Sequence, residues 1–424
     1  MATGKKLKIF ESPDVTHKTF SPLVLYKKYA NLHSDDITGI SWSTDSRLFL
    51  TYSDDLTVKL MSLHKIKDFL PFTFSGNNRK IVSAFFSQDN SRIFTVSQNG
   101  VVLLWQWTDD RGEGAQKQME FAQFKSQKRL KVGGKPNEYV QSETDVSLMT
   151  ELERKITSGR FLLEKKHRFT LQAQSRIMSV DQVNQGDNKL LCVGQSNGVF
   201  SLFNLDTLES IHSFQISEQK IDTISINANG DWIALGSRME GQLFVWEWKS
   251  ESYVLKQQGH FFDMNCLSYS PDGVYLATGG NDGKLKCWTT KNSLCFTTFT
   301  DHEGEITDIK FMPKKGNAIL SSSVDGTVRA FDLVRYKNFR TMKPNKHTQL
   351  MCLAVEAGGD IVCAGSSDPF NIFVWSLKTG QLVDIMSGHT GPVASLCFSP
   401  SNGMLVSGSW DQSVRVWDVF GKNG

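Results

Sequence analysis

Short runs of alternating apolar and polar residues recur along most of the chain, separated by turns rich in Gly, Asp, Asn, Ser and Pro. Alternation with period two predicts half-buried strands. One stretch shows the unit in full. Cys266–Ser270 reads as a strand, followed by Pro271-Asp272-Gly273, a turn in which Pro presets φ and Gly supplies a positive φ. Tyr275–Gly279 is the next strand, and Asn281-Asp282-Gly283 is a hairpin turn of the type that favours Asp-Gly. Lys284–Trp288 is a third strand and Ser293–Phe299 an outer one. Segments with a helical period are almost absent.

The third strand recurs. Clear copies end at Trp288, Phe331 and Trp417, and weaker ones at Phe10, Met61, Trp105, Phe203, Trp246 and Trp375. From Phe203 onward the steps are 42 to 44 residues, as is the step from Met61 to Trp105. A period of about 40–45 residues, ending once in an intact Trp417-Asp418, predicts four-stranded propeller blades. The gap of 98 residues from Trp105 to Phe203 holds an insertion, placed at about 108–158. It lacks alternation and is expected to be a mobile loop. Lys125, Lys128, Arg129, Lys131 and Lys135 lie there with Phe121 and Phe124 and no acidic residue between 121 and 137. Phosphate attracts such clusters and aromatic rings stack on bases, so this is the candidate RNA contact. Leu148–Ile156 has helical spacing and is a candidate partner-docking segment.

The histidines follow the same period. His33, His260, His347 and His389 each precede the Trp-position residue of their unit by 28 residues, and His302 does so by 29. Ser407, His389 and Asp411 have the makings of a hydrolytic triad. A catalytic histidine would occur once, whereas these recur, so the reading is a network inside each blade. His260, Thr278, Asp282 and Trp288 form one set, and His389, Ser407, Asp411 and Trp417 another. In each, His and a strand hydroxyl link the turn Asp to the Trp N–H, because buried polar groups need mutual satisfaction.

These motifs resemble WD-repeat β-propellers. Residues 246–260 and 325–341, which lie outside the repeat consensus, are similar to the periodic tryptophan protein 2 family. That resemblance implies a non-catalytic subunit of the small-subunit processome, which processes pre-ribosomal RNA for 18S in the nucleolus. Its implied partners are other WD-repeat processome subunits and pre-rRNA or a small nucleolar RNA particle, with no membrane and no small-molecule substrate. Family members carry two tandem propellers and a helical region. On that basis the chain is expected to be a fragment: 1–250 the C-terminal part of one seven-bladed propeller and 251–424 the N-terminal part of a second, joined near Lys249–Gln257. Gly4–Phe10 would then be the remnant of a blade. The competing arrangement is a single eight-bladed ring, whose last blade needs an outer strand from Leu23-Val24-Leu25-Tyr26.

Composition narrows function further. Among 424 residues, 47 basic against 44 acidic side chains give a net charge of +3, which argues against a whole-surface nucleic-acid binder. Hydrophobic residues at 39% support a large core, and no apolar run reaches the about 18 residues of a membrane helix. Residues 1–7 lack the apolar stretch of a signal peptide. The seven cysteines form no C-x-x-C pair and mostly sit in apolar runs, so buried thiols in a reducing compartment are expected. Gly279–Lys284 does not have phosphate-loop spacing, and Asp54-Asp55 and Asp109-Asp110 are turn residues. No metal-ligand spacing and no cofactor site is seen. The third-strand basic residues Lys59, Lys286, Arg329 and Arg415 are expected to be solvated, and Trp248 and Trp410 are off-register aromatics. Two rival functions are a WD-repeat adaptor elsewhere, as a ubiquitin-ligase substrate receptor or vesicle-coat subunit, and a propeller enzyme with a site in the central channel.

Overall fold

A computed structural model describes residues 2–3, 6–7, 24–29, 32–62, 72–108, 160–171, 175–185, 188–237, 239, 241–291, 294–313, 316–401 and 403–420. Its strands form eight antiparallel four-stranded sheets, the blades of one propeller. Blade 1 spans 37–74, blade 2 81–168, blade 3 177–215, blade 4 221–258, blade 5 264–299, blade 6 306–342 and blade 7 350–386. Blade 8 takes three strands from 393–418, and its outer strand is Val24–Tyr29 from the other end of the chain.

Each inner strand opens on an apolar residue that is almost wholly buried: Ile37, Ile81, Ile177, Ile221, Met264, Ile306, Leu350 and Val393. The pleat sends alternate residues to opposite faces, so the two middle strands of each blade bury both faces against neighbouring blades. The outer strands are instead mostly exposed or half-buried, as in Lys337–Met342, where only the last residue is buried.

Of the two arrangements the repeats allow, the structure has the single ring. Ile37, Phe49 and Met61 of blade 1 pack with Met404, Val406, Val414 and Val416 of blade 8 in one core. The Trp42 indole N–H donates to Cys397 O at 3.3 Å across the same junction. The expected boundary at residue 250 falls in the turn between Gln242–Glu247 and Ser252–Gln258 of blade 4. Val24–Tyr29 supplies the outer strand for which Leu23–Tyr26 was the candidate. Its register runs from Val24↔Asp418 to Tyr29↔Val414 and shifts between Leu25 and Lys27, opposite Trp417 and Val416. The same bulge lies at the Trp position in blade 5, between Cys287 and Trp288, and in blade 6, between Ala330 and Phe331. The strand thus has the irregularity of a true outer strand, and bulges of this kind pin register. Of the expected strand at 4–10, only Lys6–Leu7 is described; it pairs with Ala2–Thr3.

Candidate functional site

The side chains with reactive potential are drawn into the blades. In blade 5, His260 Nδ1 lies 3.0 Å from Asp282 Oδ1 and Nε2 lies 2.9 Å from Thr278 Oγ1. The Trp288 indole N–H donates to the same Thr278 oxygen at 3.1 Å. In blade 8, His389 meets Asp411 at 2.9 Å and Ser407 at 2.8 Å, and Trp417 donates to Ser407 Oγ at 2.9 Å. Blade 6 repeats the pattern with His302, Asp325 and Ser321, and blade 1 with His33, Asp55 and Thr51. There Phe331 and Met61 replace Trp, and the hydroxyl has one partner fewer. A neutral imidazole with its proton on Nδ1 satisfies every member: Trp N–H to hydroxyl, hydroxyl to Nε2, Nδ1–H to carboxylate. Ser407 is wholly buried, His389 almost so, and the Ser407 oxygen already accepts from Trp417. An external carbonyl therefore has no access to this triad.

Electrostatics follow from these partners. Burial acts to raise the Asp411 carboxyl, but hydrogen bonds from His389, Ser413 and the Thr390 N–H outweigh it and hold the group below the usual range. Asp55, Asp282 and Asp325 are lowered against the same opposing burial. Burial lowers His33 and His389, chiefly by disfavouring the imidazolium. Below the ordinary His range of about 6.5, the unfolded chain binds protons that His33 and His389 refuse. Below about 4 it binds protons that the four aspartates refuse. In both windows the unfolded state binds more protons, so stability falls as pH falls. Asp181 works the other way between about pH 4 and 6, since burial pushes its carboxyl up to about 6 and the folded chain keeps that proton, so the melting temperature is expected to fall most steeply below about pH 4. A flat or rising profile would contradict this account of the networks.

Blade 7 departs from the expectation. His347 is exposed rather than buried in a network. The positions that should hold its partners are Gly365, which has no hydroxyl, and Pro369, which has no carboxylate. Trp375 turns its N–H to Lys343 O at 3.4 Å instead. In blade 2 Asn77 stands at the His position. Both its amide atoms, Thr95 Oγ1 and Trp105 Nε1 are buried without a protein partner. An amide is shorter than an imidazole and does not span the gap.

Two clefts open between blades. One of about 720 Å³ lies between blades 2 and 3, floored by Phe94 and Leu205. Its Arg92 and Lys189 approach Asp206 at 3.8 and 2.8 Å, so its charges are largely answered from within. The other, about 410 Å³ between blades 6 and 7, is lined by Glu303, Thr327, Arg329, Lys343 and His347. Arg415, expected in solvent, is 5% exposed and donates to Gly388 O, because its strand faces the neighbouring blade's loop. Lys59, Lys286 and Arg329 are half-buried. Trp410 is exposed, whereas Trp248 is half-buried and donates to Gly230 O at 2.6 Å. Phe261 and Phe262 are 81% and 56% exposed, with rings 4.9 Å apart. The period gives no signal for them, since the matching positions after His33, His302 and His389 are Ser34-Asp35, Glu303-Gly304 and Thr390-Gly391.

Five cysteines are buried, Cys397 is half-buried and Cys295 is exposed on an outer strand. Among the described residues, no group of His, Cys, Asp or Glu is arranged to hold a metal, and no helix is long and apolar enough to cross a membrane. Lys125, Lys128, Arg129, Lys131 and Lys135, like Phe121, Phe124 and Leu148–Ile156, lie outside the described residues.

The WD domain, G-beta repeat family model matches residues 27–61, 70–106, 251–289, 293–332 and 380–418. Those segments include the first three strands of all four blades with the complete His–Asp pair; blade 3 and the first three strands of blades 4 and 7 are unmatched. The computationally designed Ika8 protein superposes with a TM-score of 0.65 at 18% identity, over 91% of this chain and 96% of its own, a likeness of fold alone. Periodic tryptophan protein 2 of Arabidopsis thaliana is 37% identical over 99% of this chain and 49% of its own length. The Mus musculus homolog is 40% identical over 95% and 44%, and the Saccharomyces cerevisiae protein 39% identical over 100% and 43%. The chain thus spans less than half the length of these curated relatives. Repeat, ring and similarity along nearly the whole chain make this a WD-repeat β-propeller similar to proteins named periodic tryptophan protein 2.

Proposed function

We propose that the protein is a non-catalytic scaffold of ribosome biogenesis, acting in the small-subunit processome of the nucleolus during 18S pre-rRNA processing. The observation that carries this reading is the similarity, along nearly the whole chain, to relatives named periodic tryptophan protein 2. The physics is that of a platform. Radially repeated sheets bury their faces against one another, so loops and rims vary without loss of core. The His–Asp sets are consumed by that burial, which leaves surface chemistry to binding. The partners proposed are other WD-repeat processome subunits and pre-rRNA or a small nucleolar RNA particle, with Lys125–Lys135 as the RNA contact. Depletion is expected to make 5′-extended pre-rRNA accumulate and 18S fall, with rescue by the full-length protein. Normal 18S production after depletion would overturn the proposal.

A further inference from the structure

Among the described residues, the outer strand of blade 6, Lys337–Met342, pairs on one side only, with Val328–Asp332. Its free edge offers a row of main-chain donors and acceptors. Between Asp332 and Glu356 the chain has no acidic residue and carries Arg335, Lys337, Arg340, Lys343 and Lys346. All five are exposed. Their charge is barely answered. Arg335, 82% exposed, reaches Asp332 only at 3.9 Å. Arg340 donates to carbonyls, Phe339 O at 3.1 Å and Lys378 O at 2.8 Å. Apolar surface is interleaved with the charge, since Val334 is 70% exposed and Phe339 39%.

Lysines commonly guard sheet edges against strand addition. Such a guard repels neutral or basic strands, but a one-signed guard attracts an acidic one. Base stacking is less well served, because Tyr336, though 55% exposed, stands edge-on to Phe296 at 5.9 Å and Phe339 exposes less of its ring, 39%. We propose that this edge binds an extended acidic segment of another protein, which adds as a fifth strand to blade 6. Its carboxylates meet Arg335, Lys337 and Arg340, and its apolar side chains cover Phe339. Main-chain bonds supply affinity and the alternate side chains specificity. The inference stands independently of the role in ribosome biogenesis.

The test is fluorescence anisotropy with a labelled peptide alternating Glu and Val, measured against the intact protein. Binding is expected, and Arg335→Glu with Lys337→Glu is expected to weaken it at least about tenfold. Those positions are exposed, and an unchanged melting temperature confirms the fold of the variant. The same peptide N-methylated along its pairing edge is expected to lose binding, whereas Phe261→Ala on the protein is expected to change nothing. Failure of the Glu–Val peptide to bind would overturn the proposal. So would binding indifferent to N-methylation, or a single-stranded oligouridylate that displaces the peptide and binds more tightly.

Discussion

Removal of residues 1–30 is expected to cost stability on the order of 5 kcal/mol and to promote aggregation. The strand Val24–Tyr29 is the outer strand of blade 8, and without it Val414–Asp418 becomes an open edge. Leu25 packs on the core that holds Trp417. Tyr29 packs toward Phe49 at 6.5 Å and donates its hydroxyl to Ser62 O at 2.9 Å, tying blade 8 to blade 1. An unpaired edge beside an uncovered core is a template for association. Tyr29→Ala alone keeps the ladder and should lose about 2–3 kcal/mol, the burial of one aromatic ring and a hydrogen bond. Thermal unfolding and size-exclusion chromatography of both variants measure the difference. A truncated chain that stays monomeric with an unchanged melting temperature would contradict closure by this strand.

The second large effect is expected at Asp411. Its carboxylate accepts four hydrogen bonds: from His389 at 2.9 Å, the Thr390 N–H at 2.9 Å, the Ser413 N–H at 2.9 Å and the Ser413 hydroxyl at 2.6 Å. Asp411→Ala strands these donors, and His389 is almost wholly buried. A buried donor left without a partner costs about 1–3 kcal/mol, and bonds to a charged acceptor are the stronger kind. The expected loss is about 3 kcal/mol in a denaturant titration. Adding His389→Ala should cost little more, because the two side chains act as one unit. Blade 7 contains the comparison within the molecule. Where no hydroxyl or carboxylate waits, His347 leaves the core and Trp375 finds a carbonyl. Fully additive losses, or a loss below about 0.5 kcal/mol, would show that the network is not what holds blade 8.

Much of this was legible in the sequence because a repeat states the same rule many times. The period located every third strand, and the fixed offsets from His to Trp located the partners of His260 and His389. The need for one more outer strand pointed to Leu23–Tyr26, and Val24–Tyr29 fills that place. The rule misled where only part of it was checked. His347 keeps the spacing, but Gly365 and Pro369 remove the chemistry that would bury it. Arg415 reads as a solvated strand position, and its burial depends on a loop of the preceding blade reaching over it. The blade 6 edge had a signal in plain view, an acid-free stretch after Asp332, but it straddles a strand and a loop and so breaks no period. Choosing between one ring and two part-rings was beyond any local pattern, since it turns on pairing between residues almost 400 positions apart in a chain of 424.

That pairing is also the most direct measurement. Lys28 and Arg415 are Cα partners across the strands that close the ring. Partners in an antiparallel pair lie about 4.5–5.5 Å apart, within disulfide range. In a Lys28→Cys, Arg415→Cys chain, mild oxidation of the folded protein is expected to link the two peptides, as read by mass spectrometry after digestion. Absence of the link in the folded protein, or its formation only between chains, would contradict a single closed eight-bladed ring.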